Sequence, residues 1–149
     1  MLKKTIIFVV VLLIALQFIH INKTNPKTDD TMALHADAKV MKIFKNSCYD
    51  CHSNETKWSI YSDIAPLSFG VESHVESGRE ALNFSNWKNI PDDIKIARLK
   101  RAISTLKLDL MPLSSYLLFH QDKELSKEDK QILTQWFKNE LKKLGVDEL

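Results

Sequence analysis

A chain of 149 residues with 44% hydrophobic content has room for one domain of ordinary size and its core. Three glycines and four prolines exclude a low-complexity chain, and no internal period indicates a repeat array. Lys3 and Lys4 account for the whole excess of 21 basic over 19 acidic side chains. The remainder carries no net charge, which excludes nucleic acid as an electrostatic partner.

The N-terminus differs from the rest. Lys3 and Lys4 precede TIIFVVVLLIALQFIHI, residues 5–21, in which Thr5, Gln17 and His20 are the polar positions. As a helix this stretch spans about 26 Å, close to the ~30 Å of a bilayer's hydrocarbon layer. A cleaved leader needs small residues at its end. Leu16-Gln17-Phe18-Ile19 is bulky, so residues 1–21 read as an uncleaved signal anchor. The two lysines then stay in the cytoplasm and the chain beyond residue 21 lies outside, on the periplasmic or extracytoplasmic side of a bacterial cytoplasmic membrane.

Residues 22–35, polar and containing Pro26, read as a tether, which leaves 36–149 as the folded domain. Val40, Met41 and Phe44 predict a short amphipathic helix over 37–47 that runs directly into Cys48. Leu67, Val71, His74, Val75, Gly78 and Leu82 form one stripe of a second helix over 67–82. A third opens near Pro91, with Asp92 and Asp93 suited to its positive end. Ile96, Leu99, Ile103 and Leu106 form its inner face, and Lys95, Arg98 and Arg101 a solvated outer one. The last helix follows Ser126, paired with Asp129 in a capping-box pattern, carries Leu133, Trp136, Phe137, Leu141 and Leu144, and stops at Gly145. No stretch alternates at period two, so the domain is expected to be all-α.

Both cysteines fall in Asn46-Ser-Cys48-Tyr-Asp-Cys51-His52-Ser-Asn54. Two thiols at this spacing suit a redox disulfide, half a zinc site or an attached haem. The disulfide reading wants a βαβ context, and the zinc reading wants a second ligand pair. The chain offers neither. Haem c uses every residue of the motif: Cys48 and Cys51 each add to a porphyrin vinyl group, and His52 binds the iron from one side. Export fits, because this attachment takes place outside the cytoplasm.

The iron's other axial position decides what one such haem does. Met111, stiffened by Pro112, is the chosen ligand, with His74 the alternative. Met41 reads as core, His120 as part of a polar turn, and Met32 and His35 as tether. Trp58, Tyr61 and Trp87 suit either the core or the porphyrin edge, and Arg79 either a haem propionate or the surface.

The run from Cys48 to Asn54, then Trp58, Tyr61, Ile64-Ala65-Pro66, Gly78-Arg79 and Leu82-Asn83-Phe84-Ser85, resembles the exported haem-binding domain family related to cytochrome c. Met111-Pro112, Tyr116 to His120, Leu125-Ser126 and Trp136 extend the similarity over roughly 36–140. The resemblance implies a small helical domain with a single haem c behind a membrane anchor. It implies thioethers at Cys48 and Cys51, His52 as proximal ligand and Met111 as distal ligand. The family's common Met-Pro-Pro is Met111-Pro112-Leu113 here. Together these readings give the expectation of a membrane-anchored, non-enzymatic electron carrier serving extracytoplasmic or membrane redox proteins. The alternative is a haem sensor or peroxidase-like protein with a labile sixth ligand.

Overall fold

The computed structural model describes residues 1–147 and is helical, with no strand among the described residues. Seven helices follow in order: α1 (Leu2–Leu16), α2 (Ala38–Ser47), α3 (Tyr49–His52), α4 (Leu67–Ala81), α5 (Asp92–Lys107), α6 (Ser114–Leu117) and α7 (Lys127–Lys143). Tight 3-10 turns at Ile60–Asp63, Phe84–Asn89 and Gln121–Lys123 join them.

Local chemistry sets the ends of these helices. The Asp37 carboxylate accepts from the Val40 N–H at 3.0 Å and starts α2. At α7 the expected capping box is present: Ser126 Oγ accepts from Asp129 N–H, and Asp129 accepts from Ser126 N–H. Gly145, at φ +80°, ends that helix. Its N–H bonds Lys142 O while Val146 N–H bonds Leu141 O, a pairing that needs a left-handed residue and therefore favours glycine.

Helices α2, α5 and α7 pack around Phe44, whose ring meets Phe84, Trp136 and Phe137 at centroid distances of 4.7, 5.2 and 5.7 Å. Leu99, Leu133 and Leu141 are fully buried beside it. Each such side chain contributes roughly 1.5–3 kcal/mol by leaving water. Helix α4 packs on α3, which also contacts α2, so the Cys48–His52 segment lies between α2 and α4.

Three expectations change. The apolar N-terminal helix ends at Leu16 and does not continue to residue 21, and among the described residues no helix is long and apolar enough to cross a membrane. Gln17 is the physical reason: its side chain donates to Ala65 O at 2.9 Å and accepts from Ala65 N–H at 3.1 Å. The stretch 22–35 is laid against the domain as a strap, whereas a tether hangs free. Asn22 N–H bonds Glu72, Lys23 pairs with Asp63, and Asn25 donates to Thr56 O. Further on, Leu34 is 1% exposed within the main core, and its N–H bonds Phe84 O at 2.8 Å. Finally, Lys95 departs from the solvated face expected of α5, while Arg98 is half-buried and Arg101 is exposed as expected. Lys95 is buried, its ammonium 5.3 Å above the Trp87 ring and 3.8 Å from Asp92, while Arg98 and Arg101 line cavity walls. A long basic side chain can cover an aromatic surface with its stem and keep its charge paired at the tip.

Candidate haem site

Cys48 closes α2 with φ −125° and turns the chain into α3, a single helical turn held by Cys51 N–H and His52 N–H on Cys48 O, at 3.2 and 2.9 Å. One turn suffices to put Cys48, Cys51 and His52 in one wall. The imidazole orientation is fixed from outside. His52 Nδ1 lies 2.9 Å from the carbonyl oxygen of Leu82, at the end of α4. A carbonyl only accepts, so Nδ1 carries the proton and Nε2 keeps its lone pair. Metal-binding imidazoles are commonly held in this way, by a carbonyl on the far nitrogen. Burial drives the His52 pKa below its ordinary value, partly offset by hydrogen bonds to the Leu82 and Gly78 carbonyls, so the ring is neutral near pH 7.

Both thiols are free. Burial, with a smaller contribution from the neighbouring thiol, pushes Cys48 up to about 12. Burial and the Asp50 carboxylate push Cys51 up to about 11, against a lowering by Arg79. Thiols held protonated are poor redox nucleophiles, which argues against a thioredoxin-type role. The zinc reading fails on geometry: among the described residues no three Cys, His, Asp or Glu side chains gather where one metal ion could sit.

Gly78 explains how α4 comes so close. A Cβ there would lie 2.5 Å from the Cys51 carbonyl oxygen and 2.9 Å from its carbon, so only a residue without a side chain permits the contact. The following residue secures the loop. Arg79 donates to Ser53 O, Thr24 O, Asn25 Oδ1 and Thr56 Oγ1, at 2.8, 3.2, 2.8 and 2.9 Å. It clamps the motif loop to the N-terminal strap, a role that neither the propionate nor the surface reading anticipated.

Two adjoining cavities, of about 800 and 530 Å³, flank this wall, within the ~300–1,000 Å³ usual for ligand and cofactor sites. Cys48, His52, Arg101 and Met111 line both. Met111 thus arrives beside the motif from a loop 60 residues downstream in the sequence. His74 is exposed on α4 and lines the larger cavity alone. Met41 packs against the core, and His35 bonds Asp30 O outside the site. Trp87 is core, but Trp58 and Tyr61 belong to the larger cavity.

The sequence singles out Tyr61, Tyr116 and His120 separately but does not join them, as the structure does. Tyr61 OH and His120 Nε2 are hydrogen-bonded at 2.7 Å, the His120 ring stacks on Tyr116 at 4.4 Å, and Tyr116 OH donates to Asp50 at 2.7 Å. The Tyr116 phenol is pushed up by burial first and by Asp50 second, so it stays protonated as the donor. These bonds fasten the Met111 loop's far end to the motif. Spacing could not reveal them, because the partners lie 59 and 66 residues apart.

The donor set fits a haem: two thiols, an imidazole with a free Nε2, and a thioether and guanidinium groups that line the same cavities. Trp58 adds a more specific sign. Its Nε1–H is the one buried side-chain polar atom without a partner among the described residues, and the residue lines the larger cavity. A buried orphan donor costs about 1–3 kcal/mol, and an anionic carboxylate such as a propionate satisfies it.

An all-helical shell around one such wall defines a small haem protein. The model of the haem-binding domain family matches residues 11–139, and the chain belongs to that family. Comparison with curated proteins and with solved structures yields no match.

Proposed function

We propose that the chain is a membrane-attached carrier of a single haem c that passes electrons between extracytoplasmic or membrane redox proteins without substrate chemistry. The His52–Leu82 hydrogen bond carries this reading: it leaves Nε2 free to ligate in cavities that Met111 also lines. Cys48 and Cys51 serve as attachment points. Each thiol would hold the group through a thioether, its S–H added across a vinyl double bond so that nothing is oxidised. When bound, haem supplies a one-electron iron couple, and ligation by methionine raises its potential. Met111 would supply a second ligand to the iron beside that of His52. Trp58 and Arg101 hold propionates, and the surrounding apolar side chains exclude water. The apolar segment 5–21 attaches the chain to the membrane, with the domain outside.

The test uses the full chain made with haem-c maturation. The oxidised protein should show a methionine–iron charge-transfer band that disappears in Met111→Ala, and the reduced protein should bind carbon monoxide slowly. Rapid carbon monoxide binding by the unmutated protein would reject the closed site in favour of a sensor or peroxidase-like role.

A further inference from the structure

We infer that the face bearing Ile60, Ile64, Leu67, Leu118 and Phe119 rests on a lipid surface, so that the mouth of the larger cavity faces the bilayer. The inference rests on the membrane attachment proposed above and adds an orientation to it. These side chains are exposed, Ile60 at 85% and Leu118 at 72%. Large apolar groups that cluster in water mark an interaction surface. Phe119 lies against Tyr61 with ring centroids 4.8 Å apart, which joins the two halves of the patch, and Leu67, Leu118 and Phe119 line the cavity mouth.

The occupant follows from the foot of α1. Gln17 is bonded twice to Ala65, between Ile64 and Leu67, and Lys23 pairs with Asp63 in the turn that begins at Ile60. The strap beyond is held by Glu72, Thr56 and Arg79. The exposed apolar surface of α1 therefore continues through Phe18 and Ile19 to a patch fixed beside its base. A tether would have let the domain tumble, but this strap sets its direction.

The length of α1 points the same way. Its 15 residues provide about 22 Å of helix, short of the ~30 Å hydrocarbon layer. A helix too short to cross by itself reaches the apolar layer only when the groups beside it also come close to the bilayer. A domain held close by such a helix brings its nearest apolar face into the interface.

Spin labels placed singly through Ile60→Cys, Leu118→Cys, Val9→Cys and Gln135→Cys test this on the full haem-loaded chain in phospholipid nanodiscs. Gln135 is exposed on α7, which packs on α2 and α5 and has no apolar patch of this kind. The expected result is a several-fold higher ratio of oxygen to nickel-chelate accessibility at 60 and 118 than at 135, with 9 higher still. Adding Gln17→Ala should lower the ratio at 60 and 118 while leaving 9 unchanged. Values at 60 and 118 equal to that at 135, with 9 still in lipid, would overturn the orientation alone. A water-like value at 9 would overturn the membrane attachment beneath it.

Discussion

Replacing Gly78 with alanine puts one methyl group where the structure has no room for it. The new Cβ would sit 2.5 Å from Cys51 O, 2.9 Å from Cys51 C and 3.0 Å from Cys51 Cβ. Ordinary contact begins near 3.4 Å, and two of these three atoms are backbone, so no rotamer change relieves the overlap. Helix α4 must back away from α3 by on the order of 0.5–1 Å, a gap that forfeits a quarter to a half of each dispersion contact across it. Overpacking of this kind costs about 1–3 kcal/mol, while alanine in a helix returns up to ~1 kcal/mol relative to glycine. Relative to a substitution that carries the propensity gain alone, the loss is about 1–3 kcal/mol, or a fall in Tm of roughly 2–12 °C for a chain of this size. Gly70 provides the control on the same helix: an added Cβ meets nothing within 4 Å, so Gly70→Ala keeps the propensity gain and should raise Tm. Calorimetry on the haem-loaded protein reads both. The displaced Leu82 carbonyl should also disturb His52, visible as a shifted imidazole resonance in Gly78→Ala but not in Gly70→Ala. A Gly78→Ala protein as stable as Gly70→Ala would refute the reasoning.

Three further outcomes follow from the same contacts. Without attached haem, His52 has a depressed pKa, so the unfolded chain binds more protons once the pH drops below the ordinary value of 6.5. Stability should then fall with decreasing pH from 6.5 down to the folded-state pKa, by at most about 1.4 kcal/mol per pH unit. Denaturant titrations of the haem-free chain that stay flat in that window except for effects shared by His52→Gln would contradict it. Leu34→Ala should cost about 2–5 kcal/mol by urea unfolding if the strap belongs to the core, and almost nothing if it is a tether. Trp58→Phe removes an orphan donor, so it should leave the haem-free chain no less stable while destabilising the haem-loaded protein by about 1.5–3 kcal/mol, the range for hydrogen bonds to charged groups. Equal effects on both forms would show that Trp58 holds no carboxylate.

What could be read from the sequence divides along physical lines. The Cys48–His52 motif was legible because its chemistry is local: one turn of backbone orders all three side chains. The cores of α2, α5 and α7 were legible from apolar spacing, and Ser126, Asp129 and Gly145 marked the bounds of α7. That of α4 was legible only at Val75, Gly78 and Leu82, since Leu67 and His74 are exposed. Features that depend on distant partners were not. The end of α1 at Leu16 is set by Ala65, 48 residues on, and the strap is held by residues 31 to 55 positions away. Charge also misled at Lys95, which was assigned to solvent as a basic residue yet is buried over Trp87, whereas Arg101 is exposed as expected. Arg79 and His120 were read as surface and turn, and each proves to be a cross-link whose partners appear once the chain is folded.

The covalent attachment of one haem at Cys48 and Cys51 is tested most directly by intact mass. The full chain, made with haem-c maturation and denatured in acidified acetone, should retain the mass of one haem added without loss of hydrogen. Cys48→Ala/Cys51→Ala should lose it. Haem that extracts completely from the unmutated protein under those conditions would contradict the assignment.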